Sequence, residues 1–129
     1  MWNLVFALGR IAIVALFIWS GLGKLMAPAG LNGMLANKGF PMPMLFTYAA
    51  GLTEVVLGLL IVIGWQTRIA AMALIAFTIV ATLVAHDFWN MSGAARTGNQ
   101  VQFLKNLSII GALMMLMAVG AGRYSVDRT

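Results

Sequence analysis

The sequence predicts an all-α integral membrane protein: a four-helix up-down bundle with a short interfacial helix between the first and second spans. Hydrophobic residues make up 62% of the 129 residues and charged residues only 9%, whereas soluble domains carry about 25% charged residues. The mean hydropathy is +0.96. The apolar residues fall into segments that match the roughly 20 residues a helix needs to cross a bilayer. We expect a single transmembrane domain over residues 1–129.

The four predicted spans cover residues 4–26, 45–65, 68–86 and 100–121. Pro28 and Gly30 end the first span. Residues 31–38 form an amphipathic stretch that suits an interfacial helix. Residues 39–44 contain two prolines and predict an extended connection.

Two further features concern the last two spans. Thr67 is the predicted N-cap of the third span. Residues 92–99 are polar and glycine-containing, and they predict a soluble loop before the fourth span.

The start of the chain has some features of a signal peptide, with Arg10 before an apolar run and Ala27-Pro28-Ala29 after it. The apolar run is longer than a usual signal-peptide core. Lys24 would also stand just before the cut. We therefore expect an uncleaved first span.

The net charge of +5 does not indicate nucleic-acid binding, because the basic residues stand singly at helix ends. The chain has no cysteine and one histidine. Disulfides, thiolate nucleophiles and Cys-based metal sites are therefore excluded, and one chain cannot supply two histidines to a haem. We expect no metal and no intrinsic cofactor, so any redox chemistry needs a diffusible or partner-held group such as a quinone.

The distribution of basic residues predicts the orientation. Four spans place both termini on one side of the membrane. The basic residues of that side are Arg10, Arg68, Arg123 and Arg128. Those of the other side are Lys24, Lys38, Arg96 and Lys105. If Lys24 and Lys105 face the bundle, the side with the termini has more basic residues in its loops than the other side. The positive-inside rule then predicts cytoplasmic termini.

One carboxylate, Glu54, lies in the middle of the second span. Thr47, Gly51, Glu54 and Gly58 recur at helical spacing and share one face. Small residues beside an acid let a neighbouring helix approach closely, so this face points into the bundle. A charge at that depth is costly unless it is paired. We predict an ion pair with a lysine.

The partner of Glu54 has alternatives. Lys105 and Lys24 are the two leading candidates, because side chains on a helix lean toward its N-terminus and the first-span lysine then reaches down to the acid. Arg10 is a third candidate from the terminus side. The opposite end of the bundle gathers further polar groups within about two helical turns. The full candidate polar site is Glu54, Lys24, Lys105, His86, Asp87 and Asn106, with ligand-flanking residues Phe88, Trp89 and Gln102.

Several stretches together resemble the DoxX family of small bacterial membrane proteins, over nearly the whole chain. They are FIWSGLGKL at 17–25, PMPML at 41–45, Glu54 with Gly58 and Gly64, Thr67-Arg68, HDFWNM at 86–91, FLKNLSI at 103–109 and SVDR at 125–128. The resemblance implies a four-helix bundle in the bacterial inner membrane. It also implies a connection to redox systems, because the family name derives from subunits of a thiosulfate:quinone oxidoreductase.

The first functional hypothesis is an accessory membrane subunit, or a quinone- and proton-handling protein, of an oxidoreductase system. Glu54 and His86 would then handle protons, while Lys24 and Lys105 would hold an anionic or carbonyl group. The alternatives are a small proton-coupled carrier and a structural or assembly factor whose polar network only holds the fold. The expected partners are the lipid bilayer, a redox-enzyme subunit and a second copy of the chain, without nucleic acid.

Overall fold

A computed structural model describes residues 1–128, so Thr129, the last residue of the predicted domain, lies outside it. The helices are α1 (Trp2–Met26), α2 (Ala29–Asn37), α3 (Pro43–Ile63), α4 (Thr67–Ala85) and α5 (Gly93–Val119), with a short 3-10 helix at Phe88–Asn90. Within residues 1–128 there is no β-strand. Four of the helices, α1, α3, α4 and α5, are long and apolar enough to cross a membrane. The predicted fold class is confirmed.

The spans pack as two pairs, α1 against α3 and α4 against α5, with fewer contacts between the pairs. We call the end of the bundle that carries both termini the terminus side, and the other end the α2 side. The buried apolar core lies toward the terminus side, where the α3–α4 turn holds the two pairs together. Its members are Val14, Phe17, Ile61, Ala70, Ala71, Leu74, Leu113 and Leu116. Toward the α2 side, a cavity lies between the helices.

Arg10 ties the C-terminal tail to the bundle at the terminus side. It is only 3% exposed. Its Nη1 donates to the carbonyl oxygen of Ala121 at 2.5 Å, and its Nη2 donates to the carbonyl oxygens of Val62 at 3.1 Å and Tyr124 at 3.0 Å. A guanidinium suits this place because its planar fork can reach several acceptors at once.

The tail also closes the turn between α3 and α4. The backbone N–H of Asp127 donates to the carbonyl oxygen of Gly64 at 2.8 Å. The Asp127 carboxylate accepts from the N–H groups of Gln66 at 3.0 Å and Thr67 at 2.9 Å. Asp127 therefore caps the N-terminus of α4 from 60 residues away. The predicted cap is wrong: Thr67 is the first helical residue, and the N-cap is Gln66, at a φ of 52°.

The predicted soluble loop at 92–99 is also wrong, because α5 begins at Gly93. Ser92 is extended, and the polar side chains that follow bond within the helix rather than breaking it. Thr97 Oγ1 donates to the carbonyl oxygen of Gly93, and Asn99 Nδ2 to that of Ala95. The α5 helix (Gly93–Val119) therefore begins well before the predicted start of the fourth span at residue 100.

The connection before α3 is shorter than predicted. Pro43 is the first residue of the helix, a position where the missing N–H of proline costs no intrahelical bond. The interfacial helix α2 is present and begins at Ala29, two residues before its predicted start.

Candidate functional site: an ion pair in a cavity between the spans

The acid of the second span is paired with a lysine of the first. Lys24 Nζ lies 2.5 Å from Glu54 Oε1, and the side chains of the lysine and the acid are 22% and 5% exposed. Ser20, one helical turn before Lys24, completes the group. Lys24 Nζ donates to Ser20 Oγ at 2.7 Å, and Ser20 Oγ donates to Glu54 Oε1 at 3.4 Å. The face predicted to point inward, which carries Thr47 and Gly58, is buried.

The structure thus separates the three candidate partners of Glu54. Lys24 makes the pair. Lys105 is exposed on α5, and Arg10 binds carbonyl oxygens at the terminus side. The geometry follows from the lean of helical side chains: Lys24 on α1 and Glu54 on the antiparallel α3 each lean toward their own N-terminus, and so toward each other.

The ion pair lies in the wall of a cavity of about 470 Å³ that all five α-helices line. This size is typical of small-molecule pockets, which span roughly 300–1,000 Å³. Most of the wall is apolar, with aromatic side chains from Phe17, Phe40, Phe46 and Phe77. Polar groups stand at a few places: Ser20, Lys24, Thr53, Glu54, Thr78, His86, Gln102 and Asn106.

The α2-side part of the cavity has its own hydrogen bonds. His86 Nδ1 lies 2.7 Å from Asn99 Oδ1. Asn106 Nδ2 donates to Thr82 Oγ1 at 2.9 Å, and Thr82 Oγ1 donates to the carbonyl oxygen of Thr78 at 2.6 Å. These contacts join α4 to α5 and leave the side chains of His86 and Asn106 on the cavity wall.

Some predicted site residues lie elsewhere. Asp87 binds Lys38 at 3.2 Å, which ties the end of α2 to the loop after α4. Asn90 Nδ2 also donates to Asp87, at 3.2 Å. Neither Asp87 nor Lys105 lines the cavity. Of the nine predicted residues, the cavity brings together Glu54, Lys24, His86, Asn106 and Gln102.

The two predicted ligand-flanking aromatics pack on each other instead. Phe88 and Trp89 form an edge-to-face cluster with Phe103, with ring centroids 5.4–6.2 Å apart. The guanidinium carbon of Arg96 lies 5.8 Å from the Phe88 centroid. This cluster anchors the start of α5 beside the 3-10 helix, outside the cavity wall.

Sequence reasoning missed several cavity residues. Ser20 could have been found, because it precedes Lys24 by four residues and shares its face. Phe46 and Phe77 carry no such signal, because an apolar side chain on a spanning helix faces lipid, core or cavity with the same periodicity. No group of three His, Asp or Glu side chains that could hold a metal ion occurs among residues 1–128.

The DoxX family model matches residues 5–87, which is well over half of the chain. The chain belongs to the DoxX family. The matched range contains most of α1 and all of α2, α3 and α4, and with them Lys24, Glu54 and His86 of the cavity wall. The α5 residues Gln102 and Asn106 lie outside it. The predicted family is confirmed.

Relatives of this DoxX protein cover most of its length. Inner membrane protein YphA of Escherichia coli is 40% identical over 94% of this chain and 86% of its own. Inner membrane protein YqjF of the same organism is 35% identical over 92% and 86%. The uncharacterized membrane protein Rv3486 of Mycobacterium tuberculosis is 30% identical over 92% and 77%. No solved structure gives a significant match.

These relatives and the four apolar helices make this DoxX protein a multi-pass protein of the inner membrane, embedded in the lipid bilayer. The predicted location is therefore confirmed. The cytoplasmic placement of the termini stays a prediction from the positive-inside rule, and one of its conditions is not met, because Lys105 is exposed on α5 and does not line the cavity.

Proposed function

We propose that this DoxX protein is an accessory membrane subunit of an oxidoreductase system that binds a lipid-soluble quinone in the cavity and handles protons at Glu54 and His86. One observation carries the proposal: a mostly apolar cavity of about 470 Å³ at membrane depth has an ion pair in its wall. An apolar pocket with few convergent polar groups is the usual form of a small-molecule site. A buried charge pair inside a membrane commonly marks function.

The residues of the wall fit a quinone head group. An ammonium group has three donor hydrogens, and the contacts to Ser20 and Glu54 use two of those of Lys24. The third remains to donate to a carbonyl oxygen. The aromatic and aliphatic side chains around it provide an apolar surface for a ring and an isoprenoid tail. A bound quinone would supply a redox couple that takes up and releases electrons together with protons.

Glu54 offers a place for one such proton. Its Oε1 accepts from Lys24 and Ser20, whereas its Oε2 has no hydrogen bond to any described residue. Oε2 is therefore the atom at which Glu54 would take or give a proton within the cavity. Lys24 stabilises the carboxylate form, and Ser20 holds the lysine in place.

The test uses purified protein in lipid nanodiscs titrated with a short-chain ubiquinone analogue, with tryptophan fluorescence as the readout. Ala81→Phe fills the cavity, since Ala81 lines it. Ala76→Phe is the matched control, since Ala76 is an exposed residue of the same helix outside the cavity wall. We expect at least about a tenfold weaker quinone affinity for Ala81→Phe, which is about 1.4 kcal/mol, and no change for Ala76→Phe.

A second pair of variants tests the polar wall. Lys24→Met removes the donor and should weaken binding, while Lys105→Met removes an exposed lysine outside the cavity and should not. Equal affinities in both pairs of variants would contradict the quinone site. Wild-type protein that binds no quinone but moves protons in liposomes would favour the carrier alternative. An effect of these variants on stability alone would favour the structural one.

The accessory-subunit part of the proposal has its own experiment. After mild extraction from the membrane, mass spectrometry identifies what co-purifies with the wild type and with Glu54→Gln. A redox-enzyme subunit in the wild-type sample supports the proposal. Its absence from both samples contradicts it.

A further inference from the structure

His86 is the one histidine of the chain, and it follows the last residue of α4 at the α2-side end of the cavity. Its Nδ1 lies 2.7 Å from Oδ1 of Asn99, in the second turn of α5. The Nδ2 of Asn99 donates to the carbonyl oxygen of Ala95 at 2.9 Å. Asn99 was not among the residues that the sequence singled out, and it does not line the cavity itself.

These two contacts together determine where the imidazole proton lies. A backbone carbonyl oxygen only accepts, so the part of the Asn99 amide that faces Ala95 must be the NH₂ group. The amide oxygen then faces His86, and only an N–H can satisfy it. Nδ1 must therefore carry a hydrogen. In a neutral imidazole one nitrogen donates and the other accepts, so Nε2 carries the lone pair.

We propose that Asn99 is a positioning residue that holds neutral His86 in the Nδ1–H form, so that Nε2 is the proton acceptor at the α2-side end of the cavity. In the part of the chain that the structure describes, no hydrogen bond engages Nε2. The tautomer follows from the contacts alone, while the use of Nε2 rests on the proposed function, which gives the cavity protons to exchange.

The proton transfer that this arrangement serves is simple. A proton leaves a donor in the cavity and bonds to Nε2, which makes the imidazolium. The imidazolium then releases that proton from Nε2 to water on the α2 side, and the neutral Nδ1–H form returns. Asn99 Oδ1 accepts from Nδ1 throughout. Glu54 lies eleven residues into α3, about 16 Å below the α2-side end of the cavity at 1.5 Å per residue. His86 therefore exchanges protons with water at the α2 side, and Glu54 exchanges them deep in the cavity.

The experiment reads the tautomer directly. Protein labelled with ¹⁵N-histidine is placed in lipid nanodiscs and observed by nitrogen NMR in alkaline buffer. A single histidine gives a single pair of ring signals. We expect a protonated Nδ1 and an unprotonated Nε2 in the wild type. In Asn99→Leu the main form should change to Nε2–H, which free histidine prefers in water.

Two further variants complete the design. Asn99→Asp keeps an acceptor oxygen at the same place and should retain the Nδ1–H form. Asn106→Leu removes a cavity amide that binds Thr82 rather than His86, and it should leave the ring signals unchanged. An unprotonated Nδ1 in the wild type overturns the inference without any variant, as does an unchanged tautomer in a folded Asn99→Leu protein.

The measurement separates this inference from the proposed function, because it needs no quinone. Failure of quinone binding together with the expected tautomer would leave the Asn99 assignment standing and remove only the proposed ligand. Quinone binding together with the opposite tautomer would leave the proposed ligand standing and remove the Asn99 assignment.

Discussion

Gly21 of α1 and Gly51 of α3 bring the backbones of their helices into contact. A Cβ placed on Gly21 would lie 2.7 Å from the carbonyl oxygen of Gly51, and one placed on Gly51 would lie 3.0 Å from the carbonyl oxygen of Gly21. Lys24 and Glu54 each follow one of these glycines by three residues. Because the helices are antiparallel, the two side chains start at different depths, and they meet only because the helices are this close. The glycine contact is therefore the structural basis of the ion pair.

Gly21→Ala should loosen this contact. The added methyl would lie 2.7 Å from both the carbonyl oxygen of Gly51 and Cγ2 of Val55, so the helices must move apart. Overpacking of this kind costs about 1–3 kcal/mol. We expect a lower free energy of unfolding in a detergent or nanodisc assay. Gly23→Ala is the matched control, because nothing lies within 4 Å of its added Cβ, and it should be neutral or slightly stabilising.

Breaking the ion pair from its two sides should have unequal effects. Lys24→Met leaves the Glu54 carboxylate, whose side chain is 5% exposed, without its partner, and we expect a loss of about 3 kcal/mol. Glu54→Gln should cost less, because Lys24 is partly exposed and can extend toward the headgroups. The combination of Lys24→Met with Glu54→Gln should cost less than the sum of these two single variants. Additive losses in the unfolding assay would show that the pair is not coupled.

Arg10→Lys should release the C-terminal tail. A lysine cannot reach the three carbonyl oxygens of Val62, Ala121 and Tyr124 with one planar group. Hydrogen bonds to a charged group contribute about 1.5–3 kcal/mol, and we expect a loss of that order together with faster proteolysis of the tail. Arg123→Lys, at an exposed position of the same tail, should change neither property. If both variants lost the same stability and their tails were cleaved at the same rate, a specific role for Arg10 would be contradicted.

Asp127 should make stability depend on pH in the acid range. Burial alone would raise the pKa of Asp127, but the backbone N–H groups of Thr67 and Gln66 and the charge of Arg10 outweigh it, and the pKa lies below its ordinary value. The unfolded chain therefore binds a proton at higher pH than the folded chain. The stability contributed by the carboxylate is present in full above about pH 4 and is lost as the pH falls through the folded-state pKa.

Asp127→Ala is the variant that tests this. At neutral pH it should lose about 1 kcal/mol, the usual effect of removing a helix N-cap. The difference in melting temperature from the wild type should narrow as the pH falls below about 4. Thr78→Val removes the hydrogen bond of a hydroxyl group that does not titrate. The melting-temperature difference between Thr78→Val and the wild type should therefore stay constant as the pH falls. If the melting-temperature difference of Asp127→Ala also stayed constant with pH, the charge of Asp127 would not stabilise the cap.

Sequence patterns predicted the spans well because the bilayer enforces them. A spanning helix needs about 20 apolar residues, so hydropathy alone locates each one, and an acid within such a helix must face the bundle. The inward face of Glu54 and its pairing with a lysine follow from these two constraints. Patterns failed where no bilayer constraint acts. Residues 93–99 lack the apolar run that predicts a span, yet they are helical. Arg96 contacts the Phe88 ring and Asn99 bonds His86, and hydropathy does not register such contacts.

The sequence by itself determined the membrane class, the spans, the interfacial helix and the depth of Glu54, since all of these depend on local hydropathy and periodicity. Only the tertiary structure decided which cation pairs with the acid, that Asp127 caps α4 from the tail, and that Asn99 meets His86. Each of these is a contact between residues 13 to 60 positions apart. Such contacts depend on how the helices pack against each other, and a periodicity confined to one helix carries no information about its neighbour.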